Sequence, residues 1–198
     1  MNSLRELYKI GKGPSSSHTM GPNNAARLFG ERHPDAARFE VTLYGSLAAT
    51  GKGHMTDVAI QEALEPIGPV TIHWEASRFL DYHPNGMLFK AFGADDALLE
   101  EWTVYSIGGG ALSEGPGKEL SHSGEVYELN TLAEIIDWCD SNGRSFWEYV
   151  DICEGPEIWD YLQEIWEAMK ASVERGLNHE GRLPGPLTRA RTASVDSV

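Results

Sequence analysis

The period of the apolar residues changes once along this chain, near residue 130, and that change limits the folds open to it. Before it, Phe39, Val41 and Leu43 fall on one side and Glu40 and Thr42 on the other, the two-residue alternation of a half-buried strand. After it, Ile158, Leu162, Ile165, Met169 and Val173 recur at spacings of three and four, one apolar stripe along a helix. The chain is therefore expected to be α+β over residues 1–130, with a helical extension over 131–177. Residues 178–198 read as a linker, because Pro184, Gly185 and Pro186 interrupt any regular structure there.

Further strands are predicted at Pro69 to Trp74, Met87 to Phe92 and Trp102 to Ile107, with a short one at Val126 to Leu129. The strand that holds Val41 is expected to run over 39–49, and 111–123 to be loop. Ser3 with Glu6 has the spacing of a capping box, which opens a helix over 3–9. Pro22 suits a helix start, so 23–31 reads as a helix with Ala25, Ala26, Leu28 and Phe29 inward. Thr56 or Asp57 is expected to cap a helix to about Glu65. Thr131 with Glu134, and Ser145 with Glu148, are two more capping boxes, and Gly143 suits the stop between them. Pro156 opens the long helix, which Gly176 is expected to end just after Arg175.

A net charge of −14 disfavours binding to a phosphate backbone, so nucleic acid is not an expected partner. The acidic residues crowd into 94–174, while the first fifty residues are nearly balanced and would admit a small anion. No apolar run reaches the roughly 18 residues of a membrane span, and no secretory signal opens the chain, so no membrane partner and a cytoplasmic location are expected. The two cysteines, Cys139 and Cys153, form no CxxC and lie in apolar helical surroundings. They read as buried thiols, and no metal ligand is assigned.

Four segments could carry chemistry. The first is Gly13 to Pro22, in which Ser15, Ser16, Ser17, His18 and Thr19 crowd five polar side chains onto one loop. The loop leads into a helix N-terminus, whose unpaired amides favour a carboxylate or a phosphate. The second joins Tyr44-Gly45-Ser46 to Gly51-Lys52-Gly53-His54-Met55-Thr56-Asp57, where a strand end, a glycine turn and a histidine precede a helix. A histidine titrates near neutrality and so suits a base, although a lone one is as easily a surface residue. Lys52 lacks the GxxxxGK[ST] context of a phosphate loop. The third, His83 to Met87, reads first as an Asn85-Gly86 hairpin turn. The fourth, Tyr105 to Gly110, ends in three glycines, over which a backbone can approach a ligand closely. Ser16, His18 and His54 are expected to converge on one pocket, since both loops are bounded by glycine and adjoin a helix start.

Taken in order, GPSSSHTMGP, LYGSLAATGKGHMTD, HPNGM, YSIGGG and RGLNHEGRLPGPL resemble the successive motifs of the iron–sulfur-dependent L-serine dehydratases, or L-serine ammonia-lyases, over about residues 5–190. The resemblance implies an α+β fold with a mixed or antiparallel sheet and helices on one face, similar to an allosteric substrate-binding domain, followed by a helical segment. It implies a lyase of amino-acid catabolism and gluconeogenesis that converts L-serine to pyruvate and ammonia without pyridoxal phosphate. A [4Fe-4S] cluster would activate the hydroxyl as leaving group while a protein base takes the Cα proton. By the same resemblance His54 is the base. Ser15, Ser16, Ser17, His18, Thr19 and Asn85 contact the substrate, and Gly109, with its neighbours, shapes the pocket floor.

The family's cluster cysteines lie in a C-terminal helical domain, and neither Cys139 nor Cys153 stands at a ligand position. The chain is accordingly expected to be a split subunit or a fragment, partnered by a cluster-bearing domain, in a homo-oligomer such as a dimer. Alone it is expected to bind no cluster and to deaminate no serine. Another reading of the same loop is a stand-alone binding or regulatory domain for a small amino or hydroxy acid. A bare interaction scaffold would leave the serine and glycine–histidine loops unexplained.

Overall fold

The computed structural model describes residues 1–120, 124–182 and 190–191, and they fall into two compact units. One is formed by residues 11–120. The other joins residues 1–10 to 124–181. The chain starts with α1 (Leu4–Leu7), then a π-helical turn (Ser16–Met20) that runs straight into α2 (Gly21–Arg32). β1 (Arg38–Tyr44), α3 (Gly45–Thr50), α4 (Thr56–Leu64), β2 (Val70–Glu75), β3 (Gly86–Phe92), β4 (Leu98–Gly108) and β5 (Ala111–Ser113) follow. The remaining helices are α5 (Leu132–Asn142), α6 (Phe146–Glu154) and α7 (Glu157–Asn178). Gly181–Arg182 and Ala190–Arg191 pair as two-residue strands, and the rest of the expected linker lies outside the described residues.

In the 11–120 unit the five strands order as β2-β1-β3-β4-β5. β2 is parallel to β1, as it must be when α3 and α4 carry the chain back between them, and the other pairs are antiparallel. The sheet is mixed, and the α+β class holds. One face is apolar: Phe39, Val41 and Leu43 of β1, Met87, Phe89 and Ala91 of β3, and Trp102 and Val104 of β4 are buried with Ala25, Ala26 and Phe29 of α2 and Ile60 and Leu64 of α4. Phe29 lies parallel to Trp102 at 5.9 Å between centroids and meets Phe89 at 5.4 Å. The opposite face carries a charged row in which Lys90 stands between Glu40 and Glu101 in register and pairs with Glu101 at 2.8 Å.

Several expectations are corrected here. β1 ends at Tyr44, and residues 45–50 turn into α3, because Gly45 at φ +50° breaks the extended run. Leu28 lies on the open side of α2, a quarter-turn from the stripe of Ala25, Ala26 and Phe29. Asn85-Gly86 is no hairpin turn, since β2 and β3 flank β1 from opposite sides. The residues expected to be loop after Gly110 hold β5, paired with β4 through the glycine turn. Neither Thr56 nor Asp57 caps α4. Its first preceding position is Met55, left-handed at φ 57°, and the Thr56 hydroxyl is spent elsewhere.

The helical unit starts from the chain's first residues, which the sequence groups with the strands. The Met1 amino group donates to the Tyr127 carbonyl at 2.8 Å, and the amides of Val126 and Tyr127 donate to the Met1 carbonyl. Around Val126 only an isolated bridge, Asn2 with Glu125, replaces the expected strand. The Glu154 carboxylate accepts from the Ser3 hydroxyl at 2.7 Å, the Leu4 amide at 2.6 Å and the Tyr127 hydroxyl at 2.8 Å. Burial alone would raise the pKa of Glu154, but those three donors outweigh it and hold the carboxyl below its usual range. The capping boxes at Thr131 and Ser145 and the left-handed stop at Gly143 are present as expected. Gly176 does not end α7, which continues to Asn178. Only the first half of the α7 stripe is covered: Ile158 and Ile165 are buried, while Met169 and Val173 are more than half exposed.

Candidate functional site

The serine loop is held by its own backbone. The Ser15 hydroxyl accepts from the His18 amide at 3.1 Å, and the Ser15 carbonyl accepts from the amides of Thr19 and Met20. Ser15 is thus the N-cap of the π turn, and the turn feeds α2 without a break. The helix N-terminus expected at Gly21-Pro22 is therefore displaced to the serines. The amides of Ser16 and Ser17 become the first-turn donors, which have no carbonyl to reach within the helix. Gly21 is required by what lies beside it: a Cβ there would stand 2.1 Å from the Ser106 Oγ.

The Gly51–His54 turn is locked to this loop by two threonines. The buried Thr19 hydroxyl donates to the His54 carbonyl at 2.8 Å, and the fully buried Thr56 hydroxyl donates to the His18 carbonyl at 2.6 Å. A Cβ on Gly51 would lie 2.2 Å from the Leu47 carbonyl, so the turn closes only with glycine there. Lys52 points over the Trp74 ring at 5.4 Å.

The two histidines meet, with ring centroids 4.7 Å apart. His18 Nδ1 is 3.0 Å from the Ser17 hydroxyl and Nε2 is 3.2 Å from the Ser46 hydroxyl. Burial first, then the neighbouring His54, push the pKa of His18 down against the opposing Ser46 bond, so its ring is neutral near pH 7. His54 Nδ1 lies 3.0 Å from the Thr50 carbonyl. A carbonyl can only accept, so this nitrogen carries the proton and the lone pair of a neutral His54 resides on Nε2. Nε2 has no hydrogen-bond partner among the described residues, which is the state a base needs.

The ends of β1, β3 and β4 complete the cluster. Ser106, fully buried on β4, donates from its hydroxyl to the Ser17 carbonyl at 2.8 Å and from its amide to the Asn85 carbonyl at 3.0 Å. Asn85 returns a bond from Nδ2 to the Ser106 carbonyl at 3.2 Å, and its amide donates to His83 Nδ1 at 3.1 Å. Burial lowers the pKa of His83 as well. The Ser46 amide donates to the Pro84 carbonyl at 3.0 Å.

The structure thus brings Ser15, Ser17, His18, Thr19, His54 and Asn85 into one hydrogen-bonded group. Ser16 adjoins it by its backbone, its carbonyl accepting from the Gly21 amide, and its side chain is exposed. Gly109 stands outside it, exposed in the β4–β5 turn at φ +58° with open space around its Cβ position. Sequence reasoning missed Ser46, Thr56 and Ser106 as members. All three lie inside segments it singled out, but serine and threonine give no signal of their own until their partners are known. Among the described residues no three His, Cys, Asp or Glu side chains come together as a metal site. Cys139 is buried in α5 and Cys153 lies in α6.

Known proteins resemble this chain over most of its length. The family model described as the serine dehydratase beta chain matches residues 3–76 and 69–115, the stretch that holds every member of the cluster. L-serine dehydratase 1 of Escherichia coli (strain K12) is 32% identical across 98% of this chain. L-serine dehydratase TdcG of the same organism is 34% identical across 98%, and the L-serine dehydratase of Streptomyces coelicolor 32% across 97%. In each case the alignment covers 53% of the relative, so the chain spans about half the length of the curated relatives it matches.

Proposed function

Because this chain belongs to the serine dehydratase beta-chain family, we propose that it is the substrate-binding part of an L-serine ammonia-lyase, with the serine loop as carboxylate site and His54 as base. The observation that carries the reading is the His18–His54 pair, where a hydroxyl-bound ring packs on one whose Nε2 has no hydrogen-bond partner among the described residues. The amides of Ser16 and Ser17, with the hydroxyls of Ser15 and Ser17 around them, suit a carboxylate, since a first helical turn presents partial positive charge, while the Thr19 hydroxyl is committed to the His54 carbonyl and holds the loop in place. His18 holds Ser46 and Ser17 in place and, being neutral, adds no charge that would compete with a substrate ammonium. His54 Nε2 then removes the Cα proton, the bond that must break for β-elimination of the hydroxyl as water. Gly109, in the turn after β4, is proposed only as part of the surrounding wall.

The residues described here do not supply a ligand set for an iron–sulfur cluster. In the complete enzyme the [4Fe-4S] cluster would activate the departing hydroxyl. It is proposed to be held by cysteines of a C-terminal helical domain or subunit, with the assembly a homo-oligomer in the cytoplasm. No pyridoxal phosphate is invoked.

Co-expression with a cluster-bearing C-terminal half, followed by an anaerobic assay of pyruvate from L-serine, tests the assignment. Activity is expected in the assembly, and His54→Asn should lower kcat by roughly a hundredfold or more, the usual worth of a positioned base. The chain alone should give no pyruvate. A reconstituted chain that holds roughly four irons and turns over serine by itself would overturn the division of labour.

A further inference from the structure

We infer that the Asn85 side-chain oxygen is the acceptor that reads the α-ammonium group of an amino-acid ligand in the serine-loop site, an inference that rests on the substrate reading above. Asn85 is 8% exposed, and the other hydrogen-bonding groups it carries are used: its amide on His83, its carbonyl on the Ser106 amide, its Nδ2 on the Ser106 carbonyl. Oδ1 is the one buried side-chain nitrogen or oxygen among the described residues that has no partner. A buried amide oxygen left unpaired costs free energy comparable to a lost hydrogen bond, so its persistence calls for an explanation.

Its orientation is fixed. Turning the side-chain amide by half a rotation would set Oδ1 against the Ser106 carbonyl, two acceptors face to face, so Nδ2 must point there and Oδ1 away. Asn85 also sits between the supports of the histidine and the loop. Its chain neighbour Pro84 binds the Ser46 amide, whose hydroxyl holds His18, and its own partner Ser106 binds the Ser17 carbonyl. The first-turn amides of the loop are donors and suit a carboxylate. Oδ1 is an obligate acceptor and suits a group that only donates. An ammonium carries three N–H donors and no acceptor, and placed there it would satisfy the orphaned oxygen. A ligand with the carboxylate and hydroxyl but no amine leaves Oδ1 unpaired, and a site built to hydrogen-bond a donor rejects the analogue that lacks it.

The test is titration of the full chain with L-serine and with 3-hydroxypropanoate, which keeps the carboxylate and hydroxyl and lacks the ammonium. The wild-type chain should bind L-serine about tenfold or more tightly than 3-hydroxypropanoate, the worth of one charge-assisted bond. Asn85→Ala should weaken L-serine by roughly tenfold and change 3-hydroxypropanoate by about twofold at most. In isotope-labelled wild-type protein the Asn85 side-chain amide resonance should move with L-serine and not with 3-hydroxypropanoate, a readout that does not depend on the variant folding. Equal wild-type affinities, equal losses in Asn85→Ala, or an unmoved resonance overturn the role of Asn85 and leave the binding site standing. Failure of the folded wild-type chain to bind either ligand overturns both.

Discussion

A methyl group on Gly21 would collide with the hydroxyl that Ser106 donates to the Ser17 carbonyl. Gly21 is helical, so the demand is for space and not for a left-handed backbone. Gly21→Ala should therefore cost about 1–3 kcal/mol by overpacking, read as a lower denaturant midpoint, and Ser106→Gly in the same chain should recover part of the loss. Unchanged stability of Gly21→Ala would contradict the close approach. Thr56→Val strands the His18 carbonyl in a buried place and should cost about 1–3 kcal/mol. At this scale the sequence was a partial guide. It pointed to His18 and His54 because histidine is chemically conspicuous, and it read Thr56 as a helix cap, because the buried bond of Thr56 to the loop depends on a residue 38 positions away.

Among the elements, α7 is the clearest contrast. Its apolar stripe is legible from spacing alone, yet the structure covers only its first half. Ile165→Ala should cost about 2–4 kcal/mol because a packed side chain leaves a cavity. Val173→Ala, more than half exposed, should stay within about 0.5 kcal/mol. Thermal or urea unfolding of the two variants separates them, and equal losses would show that something covers the second half. β5 and α3 escaped sequence reading for one reason: each is six residues or fewer, too short to display a period, and each is set by neighbouring strands and glycine turns. The capping boxes and Gly143 were legible because their chemistry is local and needs no tertiary partner.

For the whole molecule, three half-buried ionisable groups give a stability that falls in acid by two steps. His18 and His83 have folded pKa values below the ordinary 6.5, so between those values the unfolded chain binds more protons. Stability is then fully present above about pH 6.5 and declines as the pH drops from there toward the lowered values. Glu154, held below its ordinary 4.5, adds a second decline as the pH falls below that value, when the carboxylate that gathers Ser3, Leu4 and Tyr127 takes up a proton. Urea midpoints from pH 8 to pH 4 should show both, and His18→Gln should flatten the upper one. A pH-independent midpoint between about 7 and 5.5 would argue against a lowered His18 pKa.

The sequence by itself determined the class of fold and the segments that matter, because hydrophobic period, caps and glycine–proline punctuation act over a few residues. It also carried the family, since ordered motifs survive as a string. It could not decide which strands are neighbours, that the first ten residues join the helical unit, or that the serine loop locks onto the strand ends. Those outcomes rest on hydrogen bonds between residues 28 to 150 positions apart, such as His18 with Ser46, Ser17 with Ser106 and Leu4 with Glu154. The unpaired oxygen of Asn85 is of the same kind. In the sequence it is half of a turn signal, and only burial beside Ser106 makes it an acceptor awaiting a donor.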